Sequence, residues 1–543
     1  MLRRRHLGRV SFREANDLQR ALLESGDDYV LVMQHPPTYT LGVRAVPEHF
    51  LVPVDSLAAD VVEADRGGDV TYHGPGQIVA WAIVTVGDDP GSGRAHVHRL
   101  EDAVIETVRH FDPEGRLGTV DRLEGYPGVW AHVESRPAKV AAVGVRTERN
   151  RAGQRRTLHG VALNVDVDLA AFGAIVPCGI PDKPVASMRT LGLDAELADV
   201  EAYLGAALAA RLGGAEAHVA SVDRSLAVPT AEPASLRRLR RAGVDPDDGV
   251  DLHARKPAWM RVEAEMGAGF RSMRRLNDDL RLVTVCEEAG CPNIFECWQA
   301  GTATFMVNGE RCTRACTFCL VDTSKPLPLD PTEPARVAEA VVRLGLRHAV
   351  VTCVARDDLA DGGAGAIAAT IRAIRDRAPE TSVEVLISDV RGDVGSLQLI
   401  LDARPDVVNH NIETVARLQR AVRPSAGYAR SLTVLARAGA AGLTTKSGLM
   451  VGLGETVDEV EETLADLAAV GVSIATIGQY VRPTRAHSPV MRWWEPEEFA
   501  DLAARGQRLG LAHVQASPLT RSSYHAGEAL AEARPVVIRA GAR

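Results

Sequence analysis

The sequence predicts two domains of different class, an α+β domain reaching to about residue 220 and an α/β domain built on parallel strands beyond residue 300. Three observations point there. At 543 residues the chain exceeds what a single hydrophobic core supports. Apolar runs in the first part follow one another with few helices between, whereas beyond residue 300 strand-like and helix-like segments alternate. Between them, residues 222–255, "VDRSLAVPTAEPASLRRLRRAGVDPDDGVDLHAR", lose apolar content and gain proline and charge, the composition of a linker. The expected division is 1–221, a linker over 222–255, and 256–543.

In the first part "DYVLVMQH" (28–35), "QIVAWAIVTV" (77–86) and "KVAAVGVRT" (139–147) read as strands, and "EAYLGAALAARL" (201–212) as a helix. Glycine-rich "RGGDVTYHGPGQ" (66–77) reads as a loop of close backbone approach, because it lacks the Gly-Lys-Ser/Thr ending of a phosphate-binding loop. In the second part the strands are "ATFMVN" (303–308), "HAVVTCV" (348–354), "SVEVLI" (382–387), "DVVNHNI" (406–412), "TKSGLMVG" (445–452) and "IATIGQYV" (474–481). Helical stretches such as "PARVAEAVVRLG" and "TVDEVEETLADLAAVG" separate them. About six such βα units suit a parallel barrel or partial barrel, whose chemistry sits at the carboxyl ends of the strands. The stretch "GERCTRACTFCLVD" (309–322) follows the first of these strands directly.

With 46% hydrophobic and 24% charged residues the composition is that of ordinary globular domains. A net charge of -9 offers no global basic surface for a phosphate backbone, so nucleic acid is not an expected partner. The start "MLRRRHLGRVSFREANDLQRALL" has no uninterrupted apolar core before a small-residue cleavage site, and no run of 18 apolar residues occurs, so a cytoplasmic protein without a membrane partner is expected. Eight cysteines are unevenly placed: Cys178 alone, six within 34 positions, then Cys353. In a reducing cytosol that clustering reads as metal ligation.

Cys312, Cys316 and Cys319 have gaps of three and two. A structural zinc site needs four protein ligands, usually as two separated pairs, and a zinc-bearing binding module stays open as an alternative. A cubane iron–sulfur cluster takes one thiolate per iron, so three thiolates hold three corners and leave the fourth iron to an exogenous ligand. The spacing, with aromatic Phe318 just before the last cysteine, resembles the radical S-adenosylmethionine enzymes. The resemblance implies a 4Fe-4S cluster whose open iron is chelated by S-adenosylmethionine, and generation of a 5'-deoxyadenosyl radical that abstracts hydrogen from an unactivated carbon.

Upstream, "VCEEAGCPNIFECW" holds Cys286, Cys291 and Cys297. With "KPAWMR" (256–261), "VARDDLADGGA" (354–364), "VEVLISDVRG" (383–392), "NHNIET" (409–414), "TKSGLMVGLGE" (445–455) and "RSSYHAGE" (521–528), this resembles lipoyl synthase over nearly all of 256–530. The resemblance implies a second, auxiliary 4Fe-4S cluster held by Cys286, Cys291, Cys297 and the hydroxyl of Ser523, and sacrificed to supply two sulfurs at C6 and C8 of a protein-bound octanoyl chain. An alkoxide is a harder ligand than a thiolate, so its iron should be the easiest to lose. Gly452, Gly454 and Glu455 are implied near S-adenosylmethionine, with Asn409, His410 and Glu413 as further polar contacts. An electron donor such as flavodoxin or ferredoxin is implied as partner. Val283, Cys353 and Ser388 depart from the family's histidine, small residue and proline, and none removes a cluster ligand.

In the first part "QHPPTYTLG" (34–42), "RGGDVTYHGPGQ", "KVAAVGVR" (139–146), "HGVALNVD" (159–166) and "IVPCGI" (175–180) resemble lipoyl (octanoyl) transferase over 25–193, of the biotin and lipoate protein ligase fold type. Thioester exchange needs a polarisable nucleophile that is also a fair leaving group, which a cysteine beside a cation supplies. The resemblance implies that Lys139 activates Cys178, that octanoyl moves from acyl carrier protein onto Cys178, and that a lysine of the acceptor then attacks. The acceptors implied are apo lipoyl domains of 2-oxoacid dehydrogenase complexes and the glycine cleavage H protein. Substrate contacts map onto Arg66, Gly67, Gly68, Asp69, Val70, Thr71, Tyr72 and His73, onto Ala142, Val143 and Gly144, and onto Gly160, Val161 and Ala162. Ala186 departs from the family's Thr-Ser pair and leaves Ser187. The whole reads as a fusion of octanoyl transfer with sulfur insertion, the linker reaching on the order of 30 Å. The alternative is an ATP-dependent lipoate or biotin ligase fused to another radical or metal-binding module.

Overall fold

Ser11 starts the first helix. Its hydroxyl accepts the Glu14 N–H at 3.3 Å while the Glu14 carboxylate accepts the Ser11 N–H at 3.1 Å, a reciprocal cap for two donors that no helical turn can satisfy. From this cap runs α1 (Phe12–Leu22), whose Phe12, Ala15, Leu18 and Leu22, three and four apart, bury one face. The computed structural model describes all residues except 55, 56, 58, 134, 135, 214–217, 221–233, 252, 253, 263–266, 300–303, 485 and 534–543. It divides into two units, Met1–Val222 and Asp223–Arg543.

In the first unit β1 (Leu2–Arg9) precedes α1, and β2 (Asp28–Gln34), β3 (Thr38–Leu41), β4 (Asp60–Glu63), β5 (Thr71–His73) and β6 (Gln77–Ile83) follow it. Then come α2 (Ser92–His110), β7 (Val120–Leu123), β8 (Tyr126–Val133), β9 (Arg136–Arg149), β10 (Arg155–Asn164), α3 (Leu197–Leu212) and β11 (His218–Ala220). Eight strands form a mixed sheet in the order β11-β1-β2-β6-β10-β9-β8-β7, and β4-β3-β5 form a smaller one. The apolar runs of β2 and β6 are buried along almost their whole length, and α2 and α3 cover the large sheet over a core that includes Val32, Ala80, Val104 and Leu204. The three strands and the helix expected from the apolar runs are β2, β6, β9 and α3.

The second unit opens with α4 (Ala234–Arg241) and α5 (Ala268–Leu280), then β12 (Val283–Thr284), α6 (Val285–Glu288), α7 (Ile294–Gln299) and β13 (Thr304–Val307). Alternation follows: α8 (Glu333–Leu344), β14 (His348–Cys353), α9 (Ala364–Arg377), β15 (Ser382–Leu386), α10 (Val394–Asp402), β16 (Val407–Asn409), α11 (Gln419–Val422), α12 (Tyr428–Ala440) and β17 (Thr444–Val451). The unit ends with α13 (Val457–Ala469), β18 (Ile474–Gln479), α14 (Pro496–Arg508), β19 (His513–Ala516) and α15 (Ala526–Ala533). Strands β12 to β19 lie side by side in sequence order, all parallel from β13 onward. The six strands expected from sequence are β13 to β18. The seventh parallel strand, β19, escapes periodicity because "HVQA" holds too few apolar residues. Among the described residues no ladder joins β19 back to β12 or β13.

The expected linker needs correction. Residues 222–233, 252 and 253 lie outside the described residues, but α4 and the turn after it are folded against the second unit. Leu239, Ala242 and Val244 are buried, α4 packs on α11, and the Val250 N–H donates to the Val490 carbonyl at 2.7 Å. Arg417 grips Glu459 at 2.6 and 2.8 Å while donating to the Ala242 carbonyl. The charge that suggests a linker faces outward, as in the pairing of Arg240 with Asp245 and Asp247, and three apolar residues suffice to dock the segment. The reach assigned to a free span of 34 residues is therefore an overestimate. Among the described residues no helix is long and apolar enough to cross a membrane.

Candidate functional site

Cys178 sits in the turn Pro177–Gly179, pinned from both sides. Its N–H donates to the Val70 carbonyl at 2.8 Å, and residues 174–176 zip to 49–51 through Leu51 N–H to Ala174 O and Val176 N–H to His49 O, both 2.8 Å. The backbone at Cys178 is left-handed, φ 58°, a conformation that costs a non-glycine residue free energy. The next position must be glycine: φ is 67° and a Cβ there would lie 2.6 Å from the Asp69 carboxylate, itself bonded to His49 at 2.8 Å.

Lys139 is buried on β9, its ammonium 4.8 Å from the centroid of the Trp130 ring. Cys178 and Lys139 line one cavity of about 250 Å³. Of the expected substrate segments, Arg66, Gly67, Gly68, Asp69, Thr71, His73, Ala142, Val143, Gly144, Gly160, Val161 and Ala162 line it too. Val70 and Tyr72 do not. Successive strand residues point to opposite faces, so these two pack away from the cavity with Tyr39, Phe172 and Ile175. Ser187 is likewise turned aside, its hydroxyl 3.2 Å from that of Thr190.

Sequence reasoning missed the cavity's apolar wall, to which Phe12, Val79 and Trp81 contribute, since core aromatics carry no mark of function. It also missed a charge. Arg66 is buried yet bonds only neutral oxygens, Thr40 O at 2.7 Å, Thr40 Oγ1 at 2.8 Å and Gly67 O at 3.1 Å. Burial lowers its guanidinium to about 10 and the nearby Cys178 and Asp69 oppose that, so Arg66 remains cationic at neutral pH.

Four buried histidines of this unit, of which His73 and His159 line the cavity, have lowered pKa values, although His159 lies 2.7 Å from the Asp65 carboxylate. Burial is the first cause in each: His35 falls to about 4, His159 to about 3, His96 to about 4, and His73 well below its ordinary 6.5. An unfolded chain protonates these rings as pH falls through 6.5, and the folded one does not. The stability they contribute is thus fully present above pH 6.5 and drains as pH drops toward 4. Urea melts followed by tryptophan fluorescence should show the midpoint of the first unit falling from about pH 7 to about pH 4.5, less steeply in His96→Gln. A flat midpoint would contradict the buried neutral rings.

In the second unit the thiol loop between β13 and α8 is anchored on neighbouring strand ends. Cys312 N–H donates to Asp322 O at 2.8 Å, Thr313 N–H to Ala355 O at 3.0 Å, and Thr317 N–H to Val422 O at 2.9 Å. Arg314 within the loop binds Asp357 twice at 2.8 Å and Asp389 at 2.6 Å, a clamp between residues far apart in sequence that no local pattern marks. Burial pushes Cys316 to about 11 and Cys319 to about 12, and each feels Cys312 and Glu413 as further negative neighbours. The three thiols are thus close enough to act on one another electrostatically, with Glu413 raising and Arg423 lowering Cys316.

The other expected contacts are bonded within the fold. Asn409 donates to Glu384 at 2.9 Å, inside the barrel-like sheet where Lys446 pairs with Glu384 at 3.0 Å and neither is exposed. His410 is bonded to Ile387 O and Ser431 Oγ at 2.9 and 3.0 Å. Glu455 accepts from its own loop at Gly452 and Leu453 and from the Trp494 indole at 3.1 Å. Gly452 and Gly454 have φ of 102° and 109°, and a Cβ would strike Gln479 and Val244 respectively. These residues build the turn rather than present free groups. Phe318 is half-buried in the thiol loop.

The second thiol set has Cys286 on α6, Cys297 on α7 and Cys291 in the turn between them. Cys291 N–H donates to Cys286 O at 3.0 Å, and burial with mutual repulsion raises Cys286 to about 11 and Cys297 to about 12. The chain returns to this set 226 positions later: Asn293 Nδ2 donates to Leu519 O at 2.8 Å, Tyr524 OH to Glu296 at 3.0 Å, and half-buried Arg521 stands near Cys291. Ser523, half-buried, lies in that turn. Among the described residues no three His, Cys, Asp or Glu side chains stand close enough to hold a single metal ion, whereas a cubane takes one thiolate per iron and needs its ligands farther apart. The donor chemistry fits: buried thiols that repel one another are relieved when a cationic cluster takes them as thiolates.

The fold and the two sites define a two-part enzyme. Residues 12–209 match the lipoyl protein ligase A/B catalytic domain and residues 306–467 the radical SAM superfamily. The chain belongs to the lipoyl synthase family. It is 49% identical to lipoyl synthase of Kineococcus radiotolerans over 304 residues, 56% of this chain and 90% of that protein. Identity to lipoyl synthase of Mycobacterium avium is 50% over 298 residues, 55% of this chain and 96% of the relative. Among solved structures, a bipartite lipoate protein ligase from Thermoplasma acidophilum matches with TM-score 0.32 at 18% identity, over 39% of this chain and 84% of that one, a likeness on which no argument about activity rests. The chain is a lipoylation enzyme, and its family implies iron–sulfur chemistry with S-adenosylmethionine and lipoyl-domain substrates.

Proposed function

We propose that the chain carries out both steps that build lipoate on a protein: octanoyl transfer in 1–221 and double sulfur insertion in 256–543. The observation that carries the first step is Cys178 and Lys139 on one cavity wall, with buried Arg66 beside the thiol. Cys178 Sγ attacks the thioester carbonyl of octanoyl-acyl carrier protein and expels the carrier's thiol, Lys139 moving the proton. The acceptor's lysine amine then attacks the same carbonyl, the Cys178 thiolate leaves, and an amide remains. An ATP-dependent ligase would not need Cys178.

For the second step the proposed ligands are Cys312, Cys316 and Cys319 for one 4Fe-4S cluster and Cys286, Cys291, Cys297 and Ser523 for an auxiliary one. Bound with S-adenosylmethionine, the first supplies hydrogen abstraction from unactivated carbon. The chain's own residues bury the thiols, hold the loop through Arg314 and place Glu413 beside it. An electron donor of the flavodoxin or ferredoxin kind and a reducing cytoplasm belong to this reading. The test is anaerobic incubation of the reconstituted chain with octanoyl-acyl carrier protein, an apo lipoyl domain, S-adenosylmethionine and a reductant, read by intact mass of the acceptor. An octanoyl gain followed by two sulfurs supports both halves; octanoyl alone leaves only the first.

A further inference from the structure

Beside the acyl cavity runs a second groove of about 780 Å³, between α2, the β7–β8 turn and the facing ends of β9 and β10. Val97, Pro127 and Val145 belong to the walls of both spaces, so the two meet across them. The groove carries Arg94, Arg122, Arg146 and Arg155 against Glu101 and Glu124.

The pairing decides how much of that positive charge is free. Arg122 is spent on Glu101 at 2.8 Å and on Asp102. Arg146 is held loosely, 3.6 Å from Asp65 and 3.4 Å from Glu148, both of which already pair with Arg20. Among the described residues Arg155 donates only to neutral oxygens, Thr147 Oγ1 and Gly87 O at 3.3 Å and Asp89 O at 3.4 Å, which orient the guanidinium without neutralising it. The Asp89 carboxylate turns to Ser92 and Gly91 instead. Arg94 is exposed on α2 and has no anionic partner among the described residues. Against these stands Glu124.

A cationic groove that shares a wall with an acyl cavity suits a ligand that is anionic at one end and acylated at the other. We propose that the groove receives the phosphate-bearing pantetheine arm of the acyl donor, with Arg94 and Arg155 on the phosphate; this rests on the reading of the first unit as a thioester-using acyltransferase. Guanidinium and phosphate match in charge and in fork geometry. The acceptor is disfavoured here, because its lysine arrives as an ammonium and meets a field of like sign.

The test compares octanoyl-4'-phosphopantetheine with octanoyl-pantetheine, thioesters that differ only in the phosphate, as donors to the full chain. The native protein should prefer the phosphorylated donor by about tenfold in kcat/KM. Arg94→Gln, an exposed change that spares the fold, and Arg94→Glu with Arg155→Glu should compress that ratio toward one, as should high salt. A native ratio near one overturns the proposal, as does a ratio that survives in the variants. A KM increase confined to the acceptor domain also overturns it and gives the groove to the acceptor. If neither donor acylates the native chain, the acyltransferase reading itself falls, a result distinct from equal use of both.

Discussion

Cys178→Ser will lower octanoyl transfer by on the order of 10³-fold or more and abolish the octanoyl adduct that intact mass should detect on the native chain. The change is nearly isosteric in a turn held by backbone hydrogen bonds and by Gly179 against Asp69, so the fold should persist. Serine loses because its hydroxyl is a weak nucleophile near neutral pH and a poorer leaving group than a thiol. The same variant should still convert a pre-octanoylated acceptor, since the second unit holds its own ligands. Transfer by Cys178→Ser from free octanoate and ATP would sink the thioester mechanism and favour a ligase.

The second large effect is expected from the thiol loop. Cys316→Ala should remove sulfur insertion below detection while octanoyl transfer continues, and iron per chain should fall by about half if each set holds one cluster. Loss of a single thiolate matters because three corners are all that the loop offers. Ser523→Cys should act differently: a softer ligand retains iron better, so iron content stays while sulfur release slows. Full iron in Cys316→Ala would mean that this loop is not a cluster ligand.

Periodicity located β2, β6, β9 and β13 to β18, because each has a long apolar run whose burial is decided locally. It failed at β19, a short strand stabilised by its neighbours, and at α4, where a few apolar residues dock a segment that composition marks as linker. The thiols stand out as candidate ligands from spacing alone. Arg66 was legible only as part of a glycine-rich contact segment, since nothing in the sequence tells that its partners are neutral carbonyl and hydroxyl oxygens.

The sequence by itself determined which groups are available: two sets of three cysteines, one lone cysteine with a distant lysine, and strands to carry them. Tertiary structure alone decided which of them meet. Cys178 and Lys139 share a cavity because β9 and the Pro177–Gly179 turn converge on it, and the turn holding Ser523 lies on the Cys286 set because β19 and α15 return the chain there. Asn409 is bonded to a buried ion pair and Glu455 to backbone donors, because a polar group inside a fold must find a partner. Spacing along a chain sets local reach, whereas contacts between residues over a hundred positions apart depend on how the sheets assemble around them.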